Sequence, residues 1–154
     1  MNKRYYYQEL GISQANLWSE LLKYVLPQAT EVEFAIGGVN DNLSVRLAEY
    51  SDLLVERHVD QIRWNFKQIG VSTFFKFRLA PNLKIFIASI NKLGMWIDDL
   101  PEDPTFYHDK KKILWTISHS ESIFWLLSSE EAQGLNQRGF SLSPIPSPIS
   151  LDTG

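Results

Sequence analysis

The last third of the chain constrains the fold more than any other part. Over about 105–128 it contains three short apolar segments separated by polar residues that suit tight turns. Pairing positions whose numbers sum to 240 sets Trp115 opposite Trp125 and makes the neighbouring cross-strand pairs apolar as well. A shift of one residue would turn each side chain to the other face of the sheet. We therefore predict a three-stranded antiparallel meander here, followed by a short helix over about 129–137.

Two amphipathic helices are predicted to pack on this sheet, because both of its faces are apolar. Leu17, Leu21 and Val25 recur at helical spacing and predict the first helix over about 13–27. A second run of apolar residues, with charged residues on the opposite face, predicts a helix over about 51–69. The apolar positions of this second run are Val55, Val59, Ile62, Phe66 and Ile69.

The segment 80–93 supports two interpretations. Its β-branched residues favour a strand from Leu83 to Ile90. Leu83, Ile87 and Ile90 also fit one face of a helix that ends at Gly94. The composition favours the strand, and the helix stays open as the alternative.

These elements predict the α+β class. We expect a single globular domain over 1–140, built on a mainly antiparallel sheet of about 5–7 strands with the two helices packed against it. The length of 154 residues is close to the commonest domain size. From residue 141 the chain is rich in Ser and Pro, a composition that fits either an extended or a disordered C-terminal tail over 141–154.

The absence of cysteine excludes several classes of site. Without thiols the chain cannot form a disulfide, a Cys-ligated zinc site, an iron–sulfur cluster or a thiol nucleophile. The three histidines, His58, His108 and His119, do not show a metal-binding spacing such as HExxH, and no glycine-rich phosphate-binding motif is present. We therefore expect neither a metal nor a cofactor.

The charge balance argues against nucleic acid as a partner. The chain has 15 Lys and Arg against 18 Asp and Glu, a net charge of -3, whereas binding to a phosphate backbone usually needs a basic surface. The N-terminal residues show no apolar signal-peptide run, and charged residues interrupt the most apolar stretch before it reaches the roughly 20 residues of a spanning helix. We expect a cytoplasmic protein that does not bind a membrane.

Two histidines are candidates for acid–base chemistry. His119 lies with Glu121 in a polar cluster at a predicted hairpin tip, and His108 ends the first strand of the meander. At strand spacing the two histidines would be roughly 20 Å apart, too far to share one metal. No GxSxG motif accompanies Ser118, so a serine nucleophile is not indicated. Polar residues at a hairpin tip also explain this cluster without catalysis.

An acidic, proline-bounded loop is the second candidate site. Its residues of interest are Trp96, Asp98, Asp99, Glu102 and Asp103. The carboxylates lack the spacing of a calcium-binding loop, and a solvated loop is the simpler interpretation. If the loop is functional, it would bind a basic partner, with Trp96 as the aromatic contact.

Two functions from different classes follow from these observations. The first is a non-catalytic protein-interaction module, of the immunity, antitoxin or adaptor kind, that binds a protein partner through the acidic and aromatic surface. The alternative is a small-molecule-binding protein or small enzyme that uses His119 or His108 as acid or base in an aromatic pocket. The lack of an assembled catalytic motif favours the first function, and self-association is compatible with both.

Overall fold

An antiparallel sheet of eight strands runs through the part of the chain that the structure describes. The structure is a computed structural model, and it describes residues 2–11, 16–39, 41–64, 67–97 and 100–146. The strands are β1 (Lys3–Glu9), β2 (Glu31–Gly37), β3 (Leu54–Trp64), β4 (Lys67–Arg78), β5 (Glu102–His108), β6 (Lys111–Ile117), β7 (Ser122–Ser128) and β8 (Ser143–Pro144). The helices are α1 (Asn16–Val25), α2 (Pro81–Ser89) and α3 (Ser129–Gln137), with short 3-10 helices at Ala48–Leu53 and Leu93–Met95.

The order of the strands across the sheet is β3-β4-β2-β5-β6-β7-β1-β8, and each neighbouring pair is antiparallel. The predicted α+β class and antiparallel sheet are therefore confirmed. The sheet is larger than the 5–7 strands expected, because β3 forms from residues assigned to a helix and β1 and β8 form from segments that were not predicted as strands.

The first predicted helix is confirmed over Asn16–Val25. Residues 13–15 of the prediction lie outside the described residues, and the helix ends before Pro27, which lacks the N–H that a helix interior needs. The helix places one face in the core. The residues buried on that face are Leu17, Trp18, Leu21, Leu22 and Val25.

The predicted helix over about 129–137 is also confirmed, and a capping box defines where α3 begins. The Ser128 hydroxyl accepts from the Glu131 N–H at 3.1 Å, and the Glu131 carboxylate accepts from the Ser128 N–H at 2.9 Å. This reciprocal pattern satisfies two backbone donors that a helix start leaves without intrahelical partners.

The predicted helix over about 51–69 is wrong, because this region forms β3 and the start of β4. Its Val and Ile residues are β-branched and favour extended backbone, and the three- and four-residue apolar spacing did not mark a core face. Val55 is 55% exposed and Val59 is 41% exposed. Pairing with β4, rather than burial of one helix face, holds this segment in the sheet.

The preferred strand from Leu83 to Ile90 is also wrong, and the helical alternative holds. Pro81 occupies the first turn of α2, where its missing N–H has no cost. Leu83 and Ile87, one helical turn apart, are fully buried. Tertiary packing of this apolar face outweighs the strand preference of the β-branched residues.

The three-stranded meander over about 105–128 is confirmed as β5, β6 and β7, but its predicted register is wrong by one residue. Leu114 lies opposite Trp125, and Trp115 lies opposite Phe124. Both faces of these strands are apolar, so hydrophobicity alone allowed two registers. The four-residue turn after Ile117 decides between them, with Glu121 in the left-handed region at φ 53°. Trp115 and Trp125 consequently lie on opposite faces.

The hydrophobic core lies on one face of the sheet. Buried side chains of all three helices belong to one cluster with alternate strand residues such as Phe34, Phe77, Phe106 and Trp125. The intervening strand residues point to the opposite side, which we call the outer face.

The segment that precedes residue 147 lies against the sheet. Leu142 is buried, and Ser143–Pro144 pairs with β1 as the short strand β8. Ile145 donates its backbone N–H to the Tyr5 carbonyl at 3.0 Å. The rest of the predicted tail, 147–154, lies outside the described residues, and the domain boundary at 140 stays a prediction.

Candidate functional site

Trp96, the predicted aromatic contact for a partner, lies in the hydrophobic core. Its ring is fully buried, stacked on Phe34 with centroids 5.2 Å apart, and it meets Phe86 edge-on at 6.2 Å. Its Nε1 atom is buried and has no hydrogen-bond partner in the described part of the chain. The structure thus corrects the expectation of an exposed ring: Trp96 is a packing residue.

The predicted carboxylates of the acidic loop are only partly described. Asp98 and Asp99 lie outside the described residues, whereas Glu102 and Asp103 begin β5. The Asp103 N–H donates to Ser118 Oγ at 2.9 Å, and the Ser118 N–H donates to Asp103 Oδ1 at 2.7 Å. Burial raises the pKa of the Asp103 carboxyl, against the effect of the hydrogen bonds from Ser118. Asp103 therefore links β5 to the β6–β7 turn.

His119 and Glu121 lie at the β6–β7 turn and contact different neighbours. His119 Nε2 is 3.1 Å from Glu102 Oε1, and the imidazole is 68% exposed. The Glu121 carboxylate lies against the backbone of Gly94 and lines a cavity of about 360 Å³ together with Lys92. The structure pairs His119 with Glu102 rather than with Glu121.

His108 lies at the opposite end of β5 from the His119 turn. Its Nδ1 atom is 2.6 Å from the Gln28 carbonyl oxygen, and its Nε2 atom is 3.4 Å from Asp109 Oδ2. Its side chain is 52% exposed and opens to solvent. The side chains of both His108 and His119 are thus more than half exposed.

The outer face carries a row of aromatic side chains that crosses three strands. Tyr7 of β1 lies opposite Phe124 of β7, with ring centroids 5.2 Å apart, and Phe124 stacks on Trp115 of β6 at 4.2 Å. Tyr5 lies on the same face and donates its hydroxyl to the Lys112 carbonyl at 2.8 Å. We call Tyr5, Tyr7, Trp115 and Phe124 the aromatic surface. Tyr7 is 36% exposed and the other three are half-buried, so ring area remains accessible.

The two ends of the aromatic surface differ in charge. β1 and β6 run in the same direction, so Lys3 and Lys112 lie at one end and Glu9 lies at the other. Glu102 lies at the Glu9 end, because β5 is antiparallel to β6. We call Glu9 and Glu102 the acidic end. At the basic end, Lys112 Nζ is 5.7 Å from the centroid of the Trp115 ring.

A second polar group lies on the outer face of β2, β4 and β5. The Tyr107 hydroxyl donates to Glu33 Oε1 at 3.3 Å, and Lys76 Nζ lies 4.1 Å from the Tyr107 ring centroid. Burial raises the pKa of Glu33, although the charges of His58 and Lys76 act in the opposite direction. Burial and the Glu33 carboxylate raise the pKa of the Tyr107 hydroxyl. We call Glu33, Lys76 and Tyr107 the charged cluster.

The described residues contain neither a candidate metal-binding group nor a helix that could span a membrane. In the described ranges, no three His, Asp or Glu side chains come together in a group that could hold a metal ion. No helix of those ranges has the length and apolar character needed to cross a membrane.

The aromatic surface was not predicted from the sequence. The sequence feature that could have revealed it is the tyrosine-rich N-terminal segment. In the structure this segment is a strand in which exposed Tyr7 alternates with buried Tyr6 and Gln8. The remaining residues of the aromatic surface were missed because the predicted register was wrong by one residue. It set Trp115 opposite Trp125 instead of Phe124.

Comparison of the chain with protein-family models, with curated proteins and with solved structures gave no match. Function is therefore inferred from the geometry of the chain alone.

Proposed function

We propose that this protein is a non-catalytic protein-binding module that binds a protein partner through the aromatic surface and the acidic end. The observation that carries this proposal is the row of Tyr7, Phe124 and Trp115, which stays accessible on the face opposite the core. Aromatic side chains dominate the energetics of many interfaces because they bury a large area and lose little conformational entropy. A cytoplasmic location stays a prediction.

The partner is expected to present an apolar patch with basic side chains along one border. The apolar patch would cover the rings, and the basic side chains would lie over Glu9 and Glu102. The net charge of -3 favours the approach of a basic surface. A specific interface usually buries about 800 Å² on each partner, so half-buried neighbours such as Leu126 would also take part.

Affinity capture with the immobilised full chain tests the aromatic surface. The wild type is compared with the double variant Tyr7→Ala, Trp115→Ala and with the matched control Ile85→Ala, since Ile85 is an apolar residue of α2 that is 72% exposed. A protein retained by the wild type and by the control should be reduced about ten-fold or more by the double variant. Equal retention by all three chains would contradict the proposed surface.

Charge reversal tests the acidic end. The double variant Glu9→Lys, Glu102→Lys should weaken capture, and capture by the wild type should fall as salt is added. Glu20→Lys on α1 is the control, because Glu20 is an exposed carboxylate on a helix. Capture that responds neither to charge reversal nor to salt would limit the interface to the rings and contradict a basic partner.

A second candidate function, small-molecule binding with acid–base chemistry, is favoured by the charged cluster. The sequence pointed to His119 or His108 for this function, whereas Glu33 and Tyr107 form a partly buried, hydrogen-bonded titratable pair on the outer face. A carboxyl group whose pKa is raised toward neutrality suits a general acid or base. A thermal-shift screen of small polar metabolites against the wild type and Glu33→Gln is the test. A compound that stabilises only the wild type would favour this candidate over protein binding.

A further inference from the structure

One edge of the described sheet is the long strand β3, in which the Gln61 N–H donates to Asp60 Oδ1 at 2.8 Å. β3 pairs only with β4 among the described strands, whereas the opposite edge is the two-residue strand β8. The open side of an edge strand presents backbone N–H and C=O groups that can pair with another strand. Two β-branched residues of β3, Val55 and Val59, are also exposed.

The middle of β3 is regular and has a central residue. Irregularities interrupt its pairing with β4 between Leu54 and Glu56 and again between Ile62 and Arg63. The run between these irregularities is continuous, and Val59 is its middle residue. A two-fold axis at Val59 would therefore use the whole regular run in both copies.

The charges of β3 disfavour an axis at Arg57, His58 or Asp60. A two-fold axis perpendicular to the sheet keeps every side chain on its own face. Residues that lie directly opposite each other in the two copies must therefore point to the same face, so the axis lies between one residue and its own copy. An axis at Arg57 or at Asp60 sets that residue opposite its own copy, and an axis at His58 sets Glu56 opposite Asp60. Each arrangement places like charges directly opposite, which is destabilising.

We propose that β3 pairs antiparallel with β3 of a second copy of this chain, about a two-fold axis at Val59. In this register Val59 meets its own copy, His58 lies opposite Asp60 and Arg57 lies opposite Gln61. No two like charges then lie directly opposite each other, and the Arg57 guanidinium keeps its ion pair with Asp41 as a neighbour. The two sheets become one continuous sheet, and this inference does not depend on the proposed function.

Cysteine cross-linking tests the register, since the chain contains no native thiol. Opposite Cα atoms of an antiparallel pair lie about 4.5–5.5 Å apart, within the range of a disulfide. Val59→Cys should therefore form a covalent dimer on mild oxidation. Arg57→Cys alone should not, because its two thiols would be offset by about 13 Å along the strands. A mixture of Arg57→Cys and Gln61→Cys chains should cross-link.

Sedimentation of the full chain tests the association itself. The wild type should be a dimer, and Val59→Lys should raise its dissociation constant by about ten-fold or more. Val45→Lys is the matched control, because Val45 is 91% exposed and lies outside β3, and it should remain a dimer. A monomeric wild type at every concentration, a dimer that persists in Val59→Lys, or Arg57→Cys that cross-links as well as Val59→Cys would overturn the proposal. Circular dichroism confirms that each variant is folded.

Discussion

The indole ring of Trp115 stacks on the ring of Phe124 across β6 and β7, with centroids 4.2 Å apart and an interplanar angle of 22°. Both rings lie on the outer face, so the pair stabilises the sheet while part of its area stays accessible. The same two residues therefore connect the register of the meander with the proposed binding surface.

A double-mutant cycle on this pair measures its contribution to stability. Trp115→Ala and Phe124→Ala should each lower the free energy of unfolding, and the coupling energy should be about 0.5–1.5 kcal/mol, as expected for a stacked aromatic pair. Urea unfolding of the wild type, the two single variants and the double variant gives this value. Coupling close to zero would contradict the observed register.

The two fully buried tryptophans Trp18 and Trp96 should respond differently to replacement by Phe. Trp18 Nε1 donates to the Ile90 carbonyl at 3.1 Å, whereas Trp96 Nε1 has no such partner in the described structure. Trp18→Phe leaves the Ile90 carbonyl without its donor, which should lower the free energy of unfolding by about 1–3 kcal/mol. Trp96→Phe removes no such hydrogen bond. Both variants lose the same ring volume, so guanidinium unfolding should show the larger destabilisation for Trp18→Phe. The reverse order would contradict these environments.

The stability of the protein should fall relative to Asp103→Asn as the pH rises. Burial raises the pKa of Asp103, so the folded state binds more protons than the unfolded state just above the ordinary pKa of an aspartate. The free energy of unfolding of the wild type, minus that of Asp103→Asn, should decrease as the pH rises from below the ordinary pKa of an aspartate through the raised pKa of Asp103. Asparagine tolerates the left-handed backbone at this position, and urea unfolding at several pH values provides the measurement.

Glu131→Gln should show the opposite dependence and is therefore the control. Burial alone would raise the pKa of Glu131, but hydrogen bonds from Ser128 and the charge of Lys3 lower it below its ordinary value. The ionised Glu131 carboxylate therefore stabilises the folded state at pH values above the pKa of a glutamate in the unfolded chain. This stabilisation is lost as the pH falls through the lowered pKa of Glu131 in the folded state. The difference between the wild type and Glu131→Gln should therefore increase with pH. The same sign for both residues would contradict the assigned environments.

Alanine substitution at two glycines should change stability in opposite directions. Gly134 lies inside α3, where a Cβ atom would meet no neighbour within 4 Å, so Gly134→Ala should stabilise the protein by about 0.5–1 kcal/mol. Gly139 adopts φ 108°, which only glycine adopts readily, so Gly139→Ala should destabilise it. The midpoints of urea unfolding report both effects. Stabilisation by Gly139→Ala would contradict the backbone at the end of α3.

The predicted elements differ in how far local pattern could decide them. α1 was predictable because its helical spacing is followed by Pro27, and the structure shows that α3 also has a local start signal, the capping Ser128. The run from Val55 to Ile69 fits helical spacing, yet its β-branched residues suit a strand equally well. Which structure forms depends on whether a neighbouring strand is available, and β4 supplies that neighbour.

The candidate site was less predictable than the fold. Glu102, predicted as part of an acidic loop, begins β5, and its role in binding a partner stays a prediction. The burial of Trp96 depends on Phe34 and Phe86, which come from distant parts of the chain. The aromatic surface likewise depends on β1 lying beside β7, a pairing between the first and the last third of the sequence.

By itself the sequence determined the α+β class, the meander and two helices, because these follow from local periodicity and turn chemistry. Only the tertiary structure decided the strand β3, the register that separates Trp115 from Trp125, and the exposure of Tyr7 beside Phe124. The physical reason is that a strand completes its hydrogen bonds through a neighbour, so its existence, register and exposed face depend on residues far away in the chain.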